Sequence, residues 1–366
     1  MALKFWVTTP FFYPDMSRPW SEVLNDMISI VDAAEDLGFE GVTINENQFQ
    51  NYVTNPSALS FAAVAASRTR RLRIVPGVVV LPNYNPLLVA SEMAFLDHLA
   101  PGRVGIGVAR GGSRYQLDRL GVDPAQARAI YEEALDIILR GWTEDDLSYD
   151  GRFFSFPPTT IVPKPATTPH PDVWVASQSV DGARKVGQQG HNLITAPNYG
   201  TFEPHGDLEA LLASFDEGAA ASGKPRGETM VLRHTWVGRT EEEALQYFDD
   251  VLNEYNHYLA LVRPTGETTS REARLAAREA GDKDEYTGAI RAGRVRPENH
   301  TMSRDGLYEK FDDPVLTTPD RMIERFKGYE EMGVDHLACL VAMGMPNSEV
   351  IKNMELMAEE VFPAFA

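Results

Sequence analysis

The sequence predicts an α/β fold, a (β/α)8 TIM barrel with insertions. Short β-rich runs alternate with helix-period segments along the chain, the pattern of a parallel α/β fold. There are eight such runs, the number that closes a barrel of this type. Several are apolar along their whole length, as strands covered on both faces are. The 366 residues suffice for one large barrel or for two domains. A doubly wound open sheet with an appended domain therefore stays open as the alternative.

The β-runs cover residues 3–9, 41–45, 72–80, 103–109, 172–177, 192–196, 230–237 and 336–343. Helix starts fall between them. Asn55-Pro56-Ser57, Asn85-Pro86, Thr240 before three glutamates, and Thr318-Pro319-Asp320 each combine a capping side chain with proline or acidic residues in the first turn. Two connections are longer than a barrel needs. Residues 145–171 carry SYDGRFFSF, read as a surface hairpin, then a proline-rich return. Residues 263–317 are polar and charged, with TTSREARLAAREAGDK expected as a helix. A connection of that length in a compact domain reads as a cover. The expected organisation is one barrel domain over 1–366, with 263–317 as an active-site lid.

Composition narrows the partners. With 53 acidic against 34 basic side chains the formal charge is −19, the wrong sign for nucleic acid or an anionic membrane surface. The single cysteine, Cys339, lies in the apolar run LACLV. It rules out an intrachain disulfide and reads as a buried structural thiol. MALKFWVTTPFF lacks the basic and long apolar regions of a signal peptide, and no apolar run is long enough to span a membrane. A cytoplasmic location is expected.

Barrel active sites occupy the C-terminal ends of the strands. The second strand there delivers INENQF, with Glu46, Asn47 and Gln48, and the third runs into Leu81-Pro82-Asn83-Tyr84. The fourth delivers Arg110-Gly111-Gly112-Ser113-Arg114, and the fifth Ser177-Gln178-Ser179. Aromatics, amides, one carboxylate and a cationic glycine-rich turn suit a large, planar, phosphate-bearing ligand. Gly111 allows close backbone approach to an anion, and Arg110 can grip phosphate through paired hydrogen bonds. Ser179 precedes a helix start, where an anion is favoured. A surface arginine on a flexible turn and a plain N-cap serine are the alternative readings. On the seventh strand, alternation puts Leu232, His234 and Trp236 on one face. His234 is thus either at the barrel mouth or a hydrogen-bonded core histidine. No metal-ligand spacing, GxSxG elbow, Walker A loop or strand-linked GxGxxG is present.

These residues resemble the bacterial luciferase-like flavin monooxygenases. The likeness rests on GFEGVTINENQF, NPSALSFAAVAASRTRRLRI and GVVVLPNYNPLLVASEMAFLDHLAPGRVGIGVARG. It continues through SYDGRFFSFPP, PHPDVWVASQSVDGARKVGQQG, RHTWVGRTEEEA and GVDH, sparing only 263–317. The resemblance implies a barrel that binds FMN as FMNH2, supplied by a separate flavin reductase. Reaction with O2 would give a C4a-(hydro)peroxyflavin that oxygenates a small organic substrate. A homodimer is expected by the same analogy.

By this similarity Arg110 and Ser179 match the family's phosphate contacts, flanked by Gly111 and Gln178. Gly77-Val78 matches a non-prolyl cis peptide beneath the flavin, although Pro76 just ahead departs from the pattern. His234 matches an active-site histidine of the alkanesulfonate monooxygenases, while Leu232 stands where those enzymes carry arginine. The expected substrate is therefore neutral, a ketone or a heterocycle. Relatives commonly read Glu-His-His-Phe where this chain reads Glu46-Asn47-Gln48-Phe49. The amides cannot carry a proton near neutrality, so Glu46 and Asn47 are read as groups that orient partners, and acid–base work shifts to His234. A deazaflavin (F420)-dependent oxidoreductase and a non-catalytic flavin-binding barrel are the rival readings.

Overall fold

A computed structural model of the chain describes residues 2–12, 18–49, 53–196, 207–247 and 315–366. Strand β1 (Lys4–Thr9) leads to helix α1 (Trp20–Leu37), which Gly38 ends in the left-handed region. After β2 (Gly41–Ile44), α2 (Ala58–Arg68) starts on Ser57, whose hydroxyl accepts the Ser60 amide. The third barrel strand comes in two pieces, β3 (Arg73–Pro76) and β4 (Val79–Val80), divided by a non-prolyl cis peptide at Gly77–Val78. A 3-10 turn, Leu81–Asn83, leads to α3 (Pro86–Leu99), capped by the Asn85 side chain.

Next come β5 (Gly105–Ala109), α4 (Arg114–Arg119) and α5 (Ala127–Thr143). The expected hairpin is an antiparallel pair, β6 (Leu147–Asp150) and β7 (Ser155–Thr159). Then follow β8 (Asp172–Ala176), α6 (Val180–Gln189), β9 (Asn192–Thr195), α7 (Leu208–Ser222) and β10 (Thr229–Val237). The glutamate-rich start is α8 (Glu241–Leu245), capped by Thr240. Then come β11 (Val315–Thr317), α9 (Pro319–Glu331), β12 (His336–Leu340) and α10 (Asn347–Leu356), which runs on through a π-helical turn, Met357–Val361, and a 3-10 turn, Phe362–Phe365. Thr318 precedes α9 without a side-chain cap bond.

The strands pair in the order β3-β2-β1-β12-β10-β9-β8-β5-β4, all in parallel. A bridge from Ile74 to Val104 brings β3 back to β5 and closes the circle. With β3 and β4 counted as one interrupted strand, the eight expected runs are the eight staves of a (β/α)8 barrel. The open-sheet alternative is excluded by that closure. One boundary is corrected. Val315–Thr317, assigned above to the lid, is strand β11 and pairs with Thr235–Val237 at the upper end of β10. It therefore extends the barrel wall. The rest of the expected lid, 263–314, and the helix placed within it lie outside the described residues.

Outward-facing Val7, Ile74, Val173, Val231 and Leu337 join the main core beneath the helices. Inside the barrel is a smaller cluster of Trp6, Val75, Trp174, Met230 and Ala338. Trp6 and Trp174 meet edge to face at 6.1 Å, and the Arg73 guanidinium lies over both rings at 5.3 and 5.7 Å. Gly41 makes room for this floor, because a Cβ there would fall 2.5 Å from the Trp6 ring. Below it, Trp6 Nε1 donates to His336 Nδ1 at 2.9 Å, and Arg73 reaches Glu228 at 2.8 Å and Asp172 at 3.1 Å. The N-terminal end of the barrel is thus sealed by packed rings and a charge cluster, the end that serves stability in such folds.

Glu228 lies 3.3 Å from His336 Nε2, and the Arg73 contact is the shorter of the two. His336 and Arg73 together hold the Glu228 carboxyl down from 4.5 to about 2 against the opposing effect of burial. A depressed carboxylate stabilises the fold above its unfolded pKa, and that contribution fades as pH falls from 4.5 toward 2. Glu228→Gln should cost about 1–2 kcal/mol at pH 7, after allowance for partial exposure. In urea titrations across pH, the deficit should shrink below pH 4.5. A deficit constant from neutral pH down to about 2 would contradict the assignment.

Candidate active site

The opposite, C-terminal end gathers the residues singled out from sequence. Strands β5 and β8 are neighbours, with Val108 beside Val175, so the turns that follow them leave the wall side by side. Arg110 follows β5 with an exposed side chain that makes no ion pair among the described residues. Gly111 has φ 79°, and a Cβ there would fall 2.6 Å from Val80 Cγ1, so glycine lets this turn press against β4. Ser179 caps α6, its hydroxyl accepting the Gly182 amide at 3.2 Å. The plain cap reading of this serine therefore holds, yet its own O–H proton remains to be donated. Gln178 is exposed beside it.

The cis peptide Gly77–Val78 is half-buried at the same end, anchored by the Gly77 amide donating to Ile44 O at 2.8 Å. Facing it, a Cβ on Gly107 would lie 2.8 Å from Gly77 Cα. By alternation from Trp174, Ala176 presents only a methyl inward. Gly107 thus lets the cis-peptide strand press against β5, and Gly77, Gly107 and Ala176 keep this part of the wall free of bulky side chains. Such a bare wall, beside an exposed guanidinium and a helix start, fits a flat ligand with a phosphate tail.

The amide segment follows β2, the strand paired with β3 beside the cis peptide. Glu46 is buried, and neutral groups alone surround its carboxylate among the described residues. Tyr84 Oη approaches both its oxygens at 3.0 Å, and the Ala58 amide donates to it at 3.0 Å. The Val80 amide and Gln48 Nε2 stand at 3.4 Å. Burial pushes the carboxyl above the usual carboxylate range, and the donors counteract it. Burial, then Glu46 itself, pushes the Tyr84 phenol up in turn. Asn47 Oδ1 accepts from Gln116 Nε2 at 2.8 Å. Asn47 is thereby tied to α4, and its carbonyl oxygen is already engaged.

His234 is 2 % exposed and lies on β10 in register with Leu340 of β12. It shares the inward parity of Met230 and Leu232, which pack in the inner cluster. Trp236, of the same parity, is buried and meets Tyr247 edge to face at 5.3 Å. Arg233 faces outward, donating to the Tyr329 hydroxyl at 3.0 Å. Thr8 and Thr43, on the paired strands β1 and β2, share a hydroxyl contact of 2.9 Å above the tryptophan floor. Cys339 is buried and its thiol is pushed up to about 12 by burial, so it is inert. His98 lies in the last turn of α3 and touches Lys164 O at 2.9 Å, which occupies it outside the rim.

Sequence reasoning missed Gln116, Thr8 and Thr43 as parts of the rim. Strand alternation from Trp6 would have found Thr8, whereas nothing local signals the Gln116–Asn47 contact. Among the described residues no group of His, Cys, Asp and Glu could hold a metal ion. No described helix is long and apolar enough to cross a membrane.

Residues 3–336 match the family model described as luciferase-like monooxygenase. The chain belongs to the luciferase-like monooxygenase family. Among its relatives is the oxygenase component of a flavin-dependent trigonelline monooxygenase from Acinetobacter baylyi, 28 % identical over 94 % of this chain and 91 % of that one. Another is an F420-dependent glucose-6-phosphate dehydrogenase from Beutenbergia cavernae, 27 % identical over 92 % of each. Among solved structures, the oxygenating constituent of 3,6-diketocamphane monooxygenase from Pseudomonas putida, a type II Baeyer–Villiger monooxygenase in complex with FMN, superposes with a TM-score of 0.76. It covers 100 % of this chain and 99 % of its own at 18 % identity, a likeness of fold. The luciferase-like relatives of this chain thus include both flavin- and deazaflavin-dependent proteins that resemble it over most of its length.

Proposed function

We propose that this chain is the oxygenase half of a two-component flavin monooxygenase, using FMNH2 from a separate reductase and O2 to oxygenate a small neutral organic substrate. The observation that carries this reading is the placement of Arg110 and the Ser179-capped helix at the ends of adjacent strands, beside the bare wall of Gly77, Gly107 and Ala176. Arg110, Gly111, Gln178 and Ser179 would hold the phosphate end, and Gly77–Val78 with Gly107 would bed the ring. Bound reduced flavin supplies the activation of O2. The protein's part is to bind and orient, to exclude water, and to hold a proton at the His234 imidazole, the side chain type that trades protons near neutrality.

Glu46 and Asn47 orient the wall that follows β2, beside the cis peptide. The upper inward groups Thr8, Thr43, Leu232, Leu340 and His234 include no permanent charge, and Arg233 is turned outward; this supports a neutral substrate. Exposed Leu88, Phe95 and Leu99 on α3 suit a homodimer contact, and the enzyme is expected to work in the cytoplasm.

A second reading is favoured by the F420-dependent relative, since a deazaflavin also brings a phosphate to such a rim. Anaerobic titration with reduced FMN and reduced F420 separates the two. Micromolar affinity for FMNH2 is expected; affinity for the deazaflavin alone would overturn the proposal. FMN binding without O2-dependent product across a broad substrate panel would favour a non-catalytic flavin-binding barrel.

A further inference from the structure

We propose that Tyr84 and Gln116 are positioning residues that lock the Glu46–Asn47–Gln48 wall to both halves of the cofactor site. The inference deepens the flavin-binding reading and rests on it. The wall is held at two ends. At one, Tyr84 Oη donates to Glu46 and accepts from Gln48 Nε2 at 3.2 Å, while Glu46 accepts the Val80 amide two residues beyond the cis peptide. At the other, Gln116 Nε2 donates to Asn47 Oδ1 at 2.8 Å and approaches Gln48 O at 3.4 Å. Gln116 is 4 % exposed on α4, the helix that begins four residues after Arg110.

Two features make these bonds matter more than surface contacts would. Glu46 is a buried carboxylate satisfied by neutral donors, so each donor lost leaves charge that nothing else covers. Gln116 likewise donates into a half-buried segment whose backbone is pinned by Asn47 N–H to Asn55 O at 2.9 Å. The ring side of the site and the phosphate side are therefore joined through Glu46, Gln48 and Asn47. A displacement at Gln116 must appear at the Arg110 turn, although Gln116 is not itself a phosphate-binding group.

Two double-mutant cycles on anaerobic FMNH2 affinity test this: Asn47→Ala with Gln116→Ala, and Glu46→Gln with Tyr84→Phe. Each single change should weaken binding about three- to tenfold, the worth of one net buried hydrogen bond. Each double variant should bind no more weakly than its worse single, because one shared contact is lost once. The visible circular dichroism of bound oxidised FMN should change in the same variants, which a loss of global stability would not produce. Additive effects, or wild-type affinity in Gln116→Ala and Tyr84→Phe while Arg110→Ala loses binding, would overturn the locking role and leave the flavin reading intact. If the wild type binds only reduced F420, the flavin reading fails and the same cycles with F420 decide the lock. Binding of neither cofactor by the wild type overturns both.

Discussion

Replacing Arg110 by alanine is expected to weaken FMNH2 binding by roughly 2–3 kcal/mol, about 30- to 150-fold in Kd. The size follows from the side chain's situation. An exposed guanidinium without an internal ion pair among the described residues has no structural partner to abandon, so its removal should leave stability nearly unchanged. Its loss should be felt only by an anion brought to the turn after β5. Isothermal titration or fluorescence quenching with FMN reads the change directly. An unchanged dissociation constant would remove Arg110 from the phosphate site and return it to the surface. Arg110→Lys should retain part of the affinity, as a point charge replaces the two-pronged grip.

His234→Ala should lower turnover by about 10²- to 10⁴-fold, the range for losing a positioned acid–base group, with FMN affinity changed by no more than about threefold, under one net hydrogen bond. Its place supports that split. It is inward on β10, level with Leu340, while the phosphate-suited turns follow β8 and β5, with β9 standing between β10 and β8. Steady-state rates with a coupled reductase, set beside equilibrium binding, give both quantities. Affinity falling further than turnover would make His234 a cofactor or packing residue instead. A modest stability loss is expected as well, since the ring is buried.

Much of the fold is legible in the chain because barrel strands buried on both faces announce themselves as short apolar runs. Each of the eight runs contains a barrel stave. Strand β11 is not legible, because Val315-Leu316-Thr317 is three residues long and gains its identity from pairing with β10. The phosphate-suited turns stand out as motifs, and strand order then makes them neighbours. The location of the cis peptide comes from family likeness, since nothing in Gly77-Val78 alone demands it. The partners of Glu46 and Asn47 are hidden for a different reason. Tyr84 and Gln116 lie 38 and 69 residues away, and only tertiary folding brings them to the wall. The charge cluster of Arg73, Asp172, Glu228 and His336 is hidden in the same way.

The tryptophan floor has a consequence for traffic. With Trp6 and Trp174 fully buried across the barrel, nothing passes through its lower end. Cofactor, substrate and product must all use one doorway, at the rim. Whatever lies deepest has to arrive first and leave last. The sequence of events in each catalytic cycle is thus imposed by a plug at the end of the molecule where no chemistry occurs.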